Sequence, residues 1–124
     1  MKVEVSLGEL VDKVSILSIK LEKINNTDKL ANVRKEYDIL SCSMLAAGVS
    51  EDSEEYTRLI DINRQLWEIE DRIRELEAAG VFDDTFVQLA RSVYFTNDKR
   101  FAIKQAINNR YGSELVEEKE YSRY

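Results

Sequence analysis

The feature that most constrains this chain is one long apolar seam between residues 54 and 79. Its apolar side chains recur in alternating steps of three and four residues, at Leu59, Ile62, Leu66, Ile69, Ile73 and Leu76. At 3.6 residues per turn, this spacing places them on a single helical face about five turns long. We therefore expect a helix over residues 54–79 that ends at Gly80. We also expect the rest of the chain to be organised around this helix.

Three further seams of the same kind predict three more helices, with no proline to interrupt them. Helix 1 is predicted to begin after Ser6 and to end near residue 25, and helix 2 to begin at Thr27 or Asp28 and to end at Gly48. The helix over residues 54–79 is helix 3. Helix 4 is predicted to begin at Asp83 or Asp84 and to end near residues 111–112. Ser6 has the spacing of a capping box with Glu9. The predicted fold is all-α: a four-helix antiparallel bundle with long helices, in one domain of residues 1–124. Alternation in residues 2–5 adds a minor two-strand ribbon with residues 114–118.

The composition excludes several classes of function. A net charge of −6 disfavours general binding to nucleic acid, because that affinity depends on neutralising phosphates. The absence of histidine removes Ser-His-Asp and Cys-His catalysis and imidazole metal ligands. No apolar run approaches the ~18 residues that span a bilayer. We therefore expect no membrane insertion and a cytoplasmic location, which is the host cytoplasm if a phage encodes the chain. We expect Cys42 to be a small buried hydrophobic residue.

Helix 4 carries a local positive patch on this acidic chain. Between residues 91 and 110 it has five cations against Asp98 alone: Arg91, Lys99, Arg100, Lys104 and Arg110. Guanidinium and amide donors suit phosphate or carboxylate. The pattern therefore predicts a pocket for a small anionic ligand, formed by Arg91, Asn97, Arg100, Lys104 and Asn108. The alternative is a structural network in which the cations pair with Glu68, Glu70 and Asp71. Trp67 is similarly open between a core anchor and a ligand platform.

Carboxylate pairs one helical turn apart raise a metal hypothesis. Glu68-x-x-Asp71 and Glu51-x-x-Glu54 resemble the pairs that hold Mg²⁺ in all-helical nucleoside-triphosphate pyrophosphohydrolases. If both pairs lie on helix 3, they are roughly 20 Å apart, too far for one Mg²⁺ site. Glu9-x-x-Asp12 supplies another pair if helices 1 and 3 are neighbours. The alternative is a solvated acidic face, so Mg²⁺ stays open as a cofactor and no metal ligands are assigned.

Several longer strings resemble a small helical family of bacteria and cyanophages that is labelled only as a domain of unknown function. They are GELVDKVSILSIKLEKI, KLANVRKEYDIL, LWEIEDRIRELE, FVQLARSVYFTNDKRFAIKQAIN and GSELVEEKEY. The resemblance covers nearly the whole chain and implies no established activity, although its members are often encoded near surface-polysaccharide and glycosyltransferase genes. It highlights Gly8, Glu9, Asp12, Lys13, Trp67, Glu70, Asp71, Arg74, Arg91, Tyr94, Asn97, Asp98, Arg100, Glu117, Glu118 and Lys119. Ser18 departs from the acidic residue that the pattern has there.

Two classes of function follow from these observations. The leading hypothesis is a helical homo-oligomeric binding or interaction module, because four apolar seams, two of them with additional apolar faces, occur in a chain of modest size. The alternative is an anion-binding protein or Mg-dependent enzyme that acts on a phosphorylated or nucleotide-linked sugar. Its candidate ligand-binding residues are Arg91, Tyr94, Asn97, Arg100, Lys104, Trp67, Glu70, Asp71 and Arg74. A helical mutase of the chorismate type ranks last, because helix 1 does not carry the spacing of Arg and Asp that would support it.

Overall fold

The computed structural model describes residues 1–122, and these form four α-helices. They are α1 (Leu7–Lys23), α2 (Thr27–Ala46), α3 (Glu54–Ala79) and α4 (Asp84–Arg110). The predicted all-α four-helix fold is confirmed. The minor ribbon is not formed, because residues 2–5 and 114–118 contain no strand. No helix within residues 1–122 is long and apolar enough to cross a membrane.

The helix ends follow local capping chemistry. Ser6 Oγ accepts a hydrogen bond from the backbone N–H of Glu9, and Asp83 caps α4 in the same way. Gly80 ends α3 with a left-handed φ of 68°. The cap of α2 is Asn26 rather than Thr27 or Asp28, because its side-chain oxygen accepts from the N–H of Lys29. Each helix therefore begins directly after a residue whose side chain accepts a hydrogen bond from the first turn.

The central element is α1, and this corrects the expectation that the chain is organised around residues 54–79. Helix α1 packs against α2, α3 and α4, whereas α2 contacts α1 alone among the helices in residues 1–122. Val11, Val14 and Ile19 on α1 are at most 1% exposed. A helix that is apolar on more than one side can serve several neighbours at once. The longer seam of α3 is instead used mainly against α4.

The position of α2 also explains why the expectation for Cys42 was wrong. The thiol is free and exposed. Met44 is the one fully buried side chain of α2, while Ile39 and Leu45 are 58% and 57% exposed. Because α2 has one neighbour, most of its circumference stays in contact with water.

The α3–α4 hairpin is longer than the helix that packs on it. Helices α3 and α4 have 26 and 27 residues, so each is about 40 Å long, whereas the 17 residues of α1 reach about 25 Å. Apart from Leu76, the buried residues of α3 lie at or before Asn63, and those of α4 lie at or after Thr96. We call residues 68–95 the distal arm. Most of its seam is only half-buried, at Ile69, Ile73, Phe86, Leu89 and Val93.

Gly8 marks the closest approach between α1 and α4. Its N–H donates a 2.7 Å hydrogen bond to Asn108 Oδ1. A Cβ atom at this position would lie 2.5 Å from the backbone oxygen of Lys104, which is closer than any ordinary contact. The first turn of α1 can therefore pack this tightly only with glycine at position 8.

We predict that Gly8→Ala lowers the free energy of unfolding by about 1–3 kcal/mol, since the backbone of α4 must move away from the new methyl group. Urea unfolding followed by circular dichroism measures the change. Gly48→Ala is the comparison: no atom lies within 4 Å of its Cβ position, and its cost arises from a positive φ of 91° alone. Unchanged stability for Gly8→Ala would contradict the tight α1–α4 contact.

Candidate functional site

A buried carboxylate lies where α1 meets the α3–α4 hairpin. The Asp12 residue is 1% exposed. Arg100 Nε donates a 2.9 Å hydrogen bond to Asp12 Oδ1, and Arg100 Nη2 donates to Oδ2. Asn63 Nδ2 donates to Asp12 Oδ1 at 2.9 Å and also to Ser15 Oγ at 2.8 Å. Side chains of α3 and α4 thus satisfy one buried charge of α1.

The bidentate pairing keeps the Arg100 guanidinium charged. Its hydrogen bond to Asp12 raises the pKa of Arg100, and this effect outweighs the lowering by burial. Burying a charge costs free energy unless a partner and further hydrogen bonds compensate it. Here the guanidinium fork and the Asn63 amide supply that compensation.

A buried cation lies one turn beyond Arg100 on α4. Lys104 is 6% exposed, and its Nζ donates to Glu9 Oε2 at 2.8 Å and to Glu117 Oε2 at 3.0 Å. Burial by itself lowers the pKa of Lys104, but the hydrogen bonds to the two carboxylates outweigh it and the net pKa is raised. Lys104 therefore joins α1 to the C-terminal segment.

Five of the predicted site residues come together in a cleft between α1, α3 and α4. This cavity of about 300 Å³, which we call the Trp67 cleft, is lined by Ile16, Ile19, Asn63, Leu66, Trp67, Glu70, Asp71, Arg74 and Arg100. Its walls combine aliphatic side chains with an indole, and its polar groups include both acceptors and guanidinium donors. Trp67 is half-buried and packs against the core, which is one of the two roles considered for it, and its role as a ligand platform stays a prediction.

Two more predicted residues share a second cleft with Arg100. This cavity of about 510 Å³, the Tyr94 cleft, is lined by Ala90, Val93, Tyr94, Asn97, Asp98, Arg100, Lys119 and Tyr121. Lys119 Nζ lies 5.0 Å from the centre of the Phe101 ring and 5.8 Å from that of Tyr121. The guanidinium of Arg100 thus contributes to the walls of both clefts while its charge is paired with Asp12.

The structure separates the remaining predicted residues from these clefts. Arg91 lines neither cleft and contacts Tyr94 Oη at 3.5 Å. Lys104 is enclosed by its two carboxylates. Arg100 and Lys104 do form ion pairs, as in the alternative of a structural network. Their partners, however, are carboxylates of α1 and the C-terminal segment rather than Glu68, Glu70 and Asp71. Membership of a ligand site stays a prediction for the whole set.

The sequence analysis did not identify Asn63, whose side-chain amide donates a hydrogen bond to the buried Asp12. It lies on the stripe Tyr56, Ile60, Asn63 and Trp67, in which the other members are apolar or aromatic. A polar residue in a core-facing stripe signals a buried partner, since unpaired polar groups are costly inside a protein. The stripe gives no sign of which residue that partner is.

The donor set does not fit a resident metal ion. Within residues 1–122, no three Asp, Glu or Cys side chains are grouped closely enough to hold one. Glu70 and Asp71 are adjacent in the Trp67 cleft, but Mg²⁺ takes about six oxygens in near-octahedral geometry. We assign no step to Mg²⁺.

Comparison with known proteins gives one family. A family model described as "Family of unknown function (DUF6165)" matches residues 1–124. Neither the curated proteins nor the solved structures include a match to the chain. The family description carries no activity, so a functional conclusion has to come from the clefts and surfaces themselves.

We predict that Asp12→Ala destabilises the fold by about 3 kcal/mol, because it leaves the Arg100 guanidinium without its buried partner and removes an acceptor from Asn63. The matched control is Glu22→Ala, which removes another carboxylate of α1 that pairs with an arginine of the hairpin. The Glu22–Arg64 pair, at 2.7 Å, is 46% and 43% exposed, so its loss should cost less than about 1 kcal/mol. Chemical unfolding measures both variants, and equal losses would contradict the special role of Asp12.

Proposed function

This chain belongs to the DUF6165 family of unknown function, and we propose that it is a homo-oligomeric binding module whose distal arm pairs one copy with another. The observation that carries the proposal is the half-buried seam of that arm. We place the module in the cytoplasm, in that of the host if a phage encodes it, since the exposed free thiol of Cys42 suits a reducing compartment.

The apolar surface of the distal arm supports self-association. Five large apolar side chains there are between 37% and 59% exposed: Val81, Phe82, Val87, Tyr94 and Phe95. A two-helix hairpin can cover its seam on one side only, and a second hairpin completes a four-helix arrangement that covers both. Because these side chains are already about half-buried, covering the rest of their surface would stabilise the assembly by roughly 1 kcal/mol each. The arm is therefore better suited to contact with another copy than to isolation in water.

We predict that the wild-type chain sediments as a dimer or higher oligomer at micromolar concentration and dissociates on dilution. Val87→Ser combined with Phe95→Ser should shift it toward monomer, because both side chains lie on the exposed side of α4. Sedimentation equilibrium or light scattering measures the mass.

The matched control combines Ile39→Ser with Leu45→Ser on α2, whose side chains are more exposed than those of the test pair but lie outside the distal arm. This variant should keep the wild-type mass. A compact monomer for the wild type at all concentrations would contradict the proposed self-association.

The Trp67 cleft supports a second candidate function, the binding of a small anionic ligand such as a phosphorylated or nucleotide-linked sugar. Its volume is at the lower end of small-molecule sites, and its aromatic wall and the Arg74 guanidinium suit a ring that carries a phosphate. The Arg74 side chain is 79% exposed and lies 4.0 Å from Glu70. It can therefore turn toward a ligand without breaking a buried contact. We assign no catalytic residue and no Mg²⁺ to this candidate.

We predict that one or more sugar phosphates raise the melting temperature in a thermal-shift screen and that Arg74→Ala weakens the same binding about tenfold, by removal of a charge-assisted contact. Arg72→Ala is the matched control, since Arg72 is also exposed and paired within α3 but does not line the cleft. No stabilisation by any sugar phosphate or nucleotide sugar, with Arg74→Ala folded normally, would contradict this candidate.

A further inference from the structure

Asp12 holds two polar side chains of the Trp67 cleft next to each other. Its Oδ1 atom accepts hydrogen bonds from both Asn63 Nδ2 and Arg100 Nε, each at 2.9 Å. Asn63 and Arg100 also line the Trp67 cleft. Because one buried oxygen atom binds both groups, the polar atoms that they have left for a ligand are held in fixed relative positions.

The hydrogen bonds of Asn63 determine which of its atoms is left for a ligand. Nδ2 donates one N–H to Asp12 Oδ1 and the other to Ser15 Oγ. An ionised carboxylate can only accept, so the amide nitrogen has to face Asp12 and Oδ1 is the polar atom that remains. Within residues 1–122, the enclosed side-chain atoms without a partner are Glu55 Oε2 and Asn108 Nδ2. Asn63 Oδ1 is not enclosed in this way, so it can accept a hydrogen bond from a molecule in the cleft.

Arg100 supplies donors next to this acceptor. Of its N–H groups, Nε and one on Nη2 are donated to Asp12. The N–H groups of Nη1 and the second one of Nη2 remain, and the side chain is 28% exposed. The charge of the guanidinium is already paired with a carboxylate. These donors therefore suit an uncharged carbonyl oxygen better than a phosphate.

The helix α3 adds three further kinds of group to the same cleft. Four of the lining residues lie on one face of α3, about one turn apart: Asn63, Trp67, Glu70 and Arg74. In this order they provide an acceptor, a flat indole, a carboxylate and an exposed guanidinium. A nucleotide presents matching groups in the same order, which are the edge of the base, its flat face, the ribose hydroxyls and the phosphate.

We propose that the Trp67 cleft binds a pyrimidine nucleotide whose base stacks on Trp67 and presents a ring N–H beside a carbonyl, as uracil does. Asn63 Oδ1 accepts from the ring N–H, and Arg100 donates to the carbonyl oxygen. Arg74, whose side chain is 79% exposed, binds the phosphate. A cavity of about 300 Å³ suits a base with a single ring. The inference rests on the second candidate function and names the ligand class of that site.

The free donors of Arg100 favour uracil over cytosine. The two bases have nearly the same shape, but at this edge cytosine has an amino group beside a ring nitrogen that carries no hydrogen. A carbonyl oxygen has two lone pairs and accepts from more than one N–H, whereas a ring nitrogen has one lone pair. A sugar phosphate without a base would leave Asn63 Oδ1 and the Arg100 donors without a directional partner, which is unfavourable in a site built for hydrogen bonds.

The experiment titrates the full chain with nucleotides and follows tryptophan fluorescence. Trp67 is the only tryptophan of the chain, so quenching reports a ring stacked in this cleft. Uridine monophosphate should quench the fluorescence and bind about tenfold more tightly than cytidine monophosphate or uridine monophosphate methylated at the ring N–H. Ribose phosphate should neither quench the fluorescence nor displace uridine monophosphate at equal concentration. Because these comparisons change the ligand, they leave the buried network of Asp12 intact.

A variant tests the other end of the ligand. Arg74→Ala should weaken uridine monophosphate about tenfold and leave the binding of uridine, which has no phosphate, unchanged. Arg72→Ala is the matched control, since Arg72 is an exposed arginine of α3 that does not line the cleft, and it should change neither affinity. Equal weakening of uridine and uridine monophosphate by Arg74→Ala would overturn the proposed placement of the phosphate.

The outcomes separate this inference from the function on which it rests. Cytidine monophosphate or the methylated nucleotide binding as tightly as uridine monophosphate would overturn recognition of the base edge. Ribose phosphate that competes as strongly as uridine monophosphate would overturn the stacked base. In both cases the binding of a small anionic ligand stands. A chain whose fluorescence and melting temperature respond to no nucleotide and no sugar phosphate would overturn both.

Discussion

The buried carboxylate of Asp12 is the interaction on which the arrangement of the other elements depends. It lies on α1, and its hydrogen bonds come from Asn63 on α3 and Arg100 on α4. A charge with 1% exposure is tolerable only when it is paired and hydrogen-bonded, so the contact is directional in a way that apolar packing is not. It sets the register of α1 along the hairpin, and Gly8 allows the helices to approach closely enough for the contact to form.

The same contact shapes the clefts. Arg100 lines both the Trp67 cleft and the Tyr94 cleft, and its position is set by the carboxylate that it binds. An anion entering either cleft would meet a guanidinium whose charge is already paired. Lys104 is likewise paired with two carboxylates. Any ligand must therefore be recognised by the cleft's shape, its aromatic wall and exposed groups such as Arg74 more than by a field of free positive charge.

Sequence reasoning succeeded where the controlling interactions are local. The bounds of α3 follow from a seam and a glycine, and the starts of α1 and α4 follow from the caps Ser6 and Asp83, all within a few residues of the helix ends that they define. The partner of Arg100 could not be predicted in this way, because Asp12 is 88 residues away in the sequence and nothing near Arg100 identifies it. The same holds for α2, whose own pattern does not reveal that it has one neighbour. The resemblance highlighted Asp12, but the structure was needed to give that residue a role.

The most direct test of this account is a double-mutant cycle between Asp12 and Arg100, measured as free energies of unfolding for Asp12→Ala, Arg100→Ala and the double variant. If the buried pair positions α1 on the hairpin, the double variant should be no less stable than the worse single variant. The coupling energy should then be about 2 kcal/mol or more. Additive losses, with a coupling energy near zero, would mean that the two side chains act independently and would contradict the central claim.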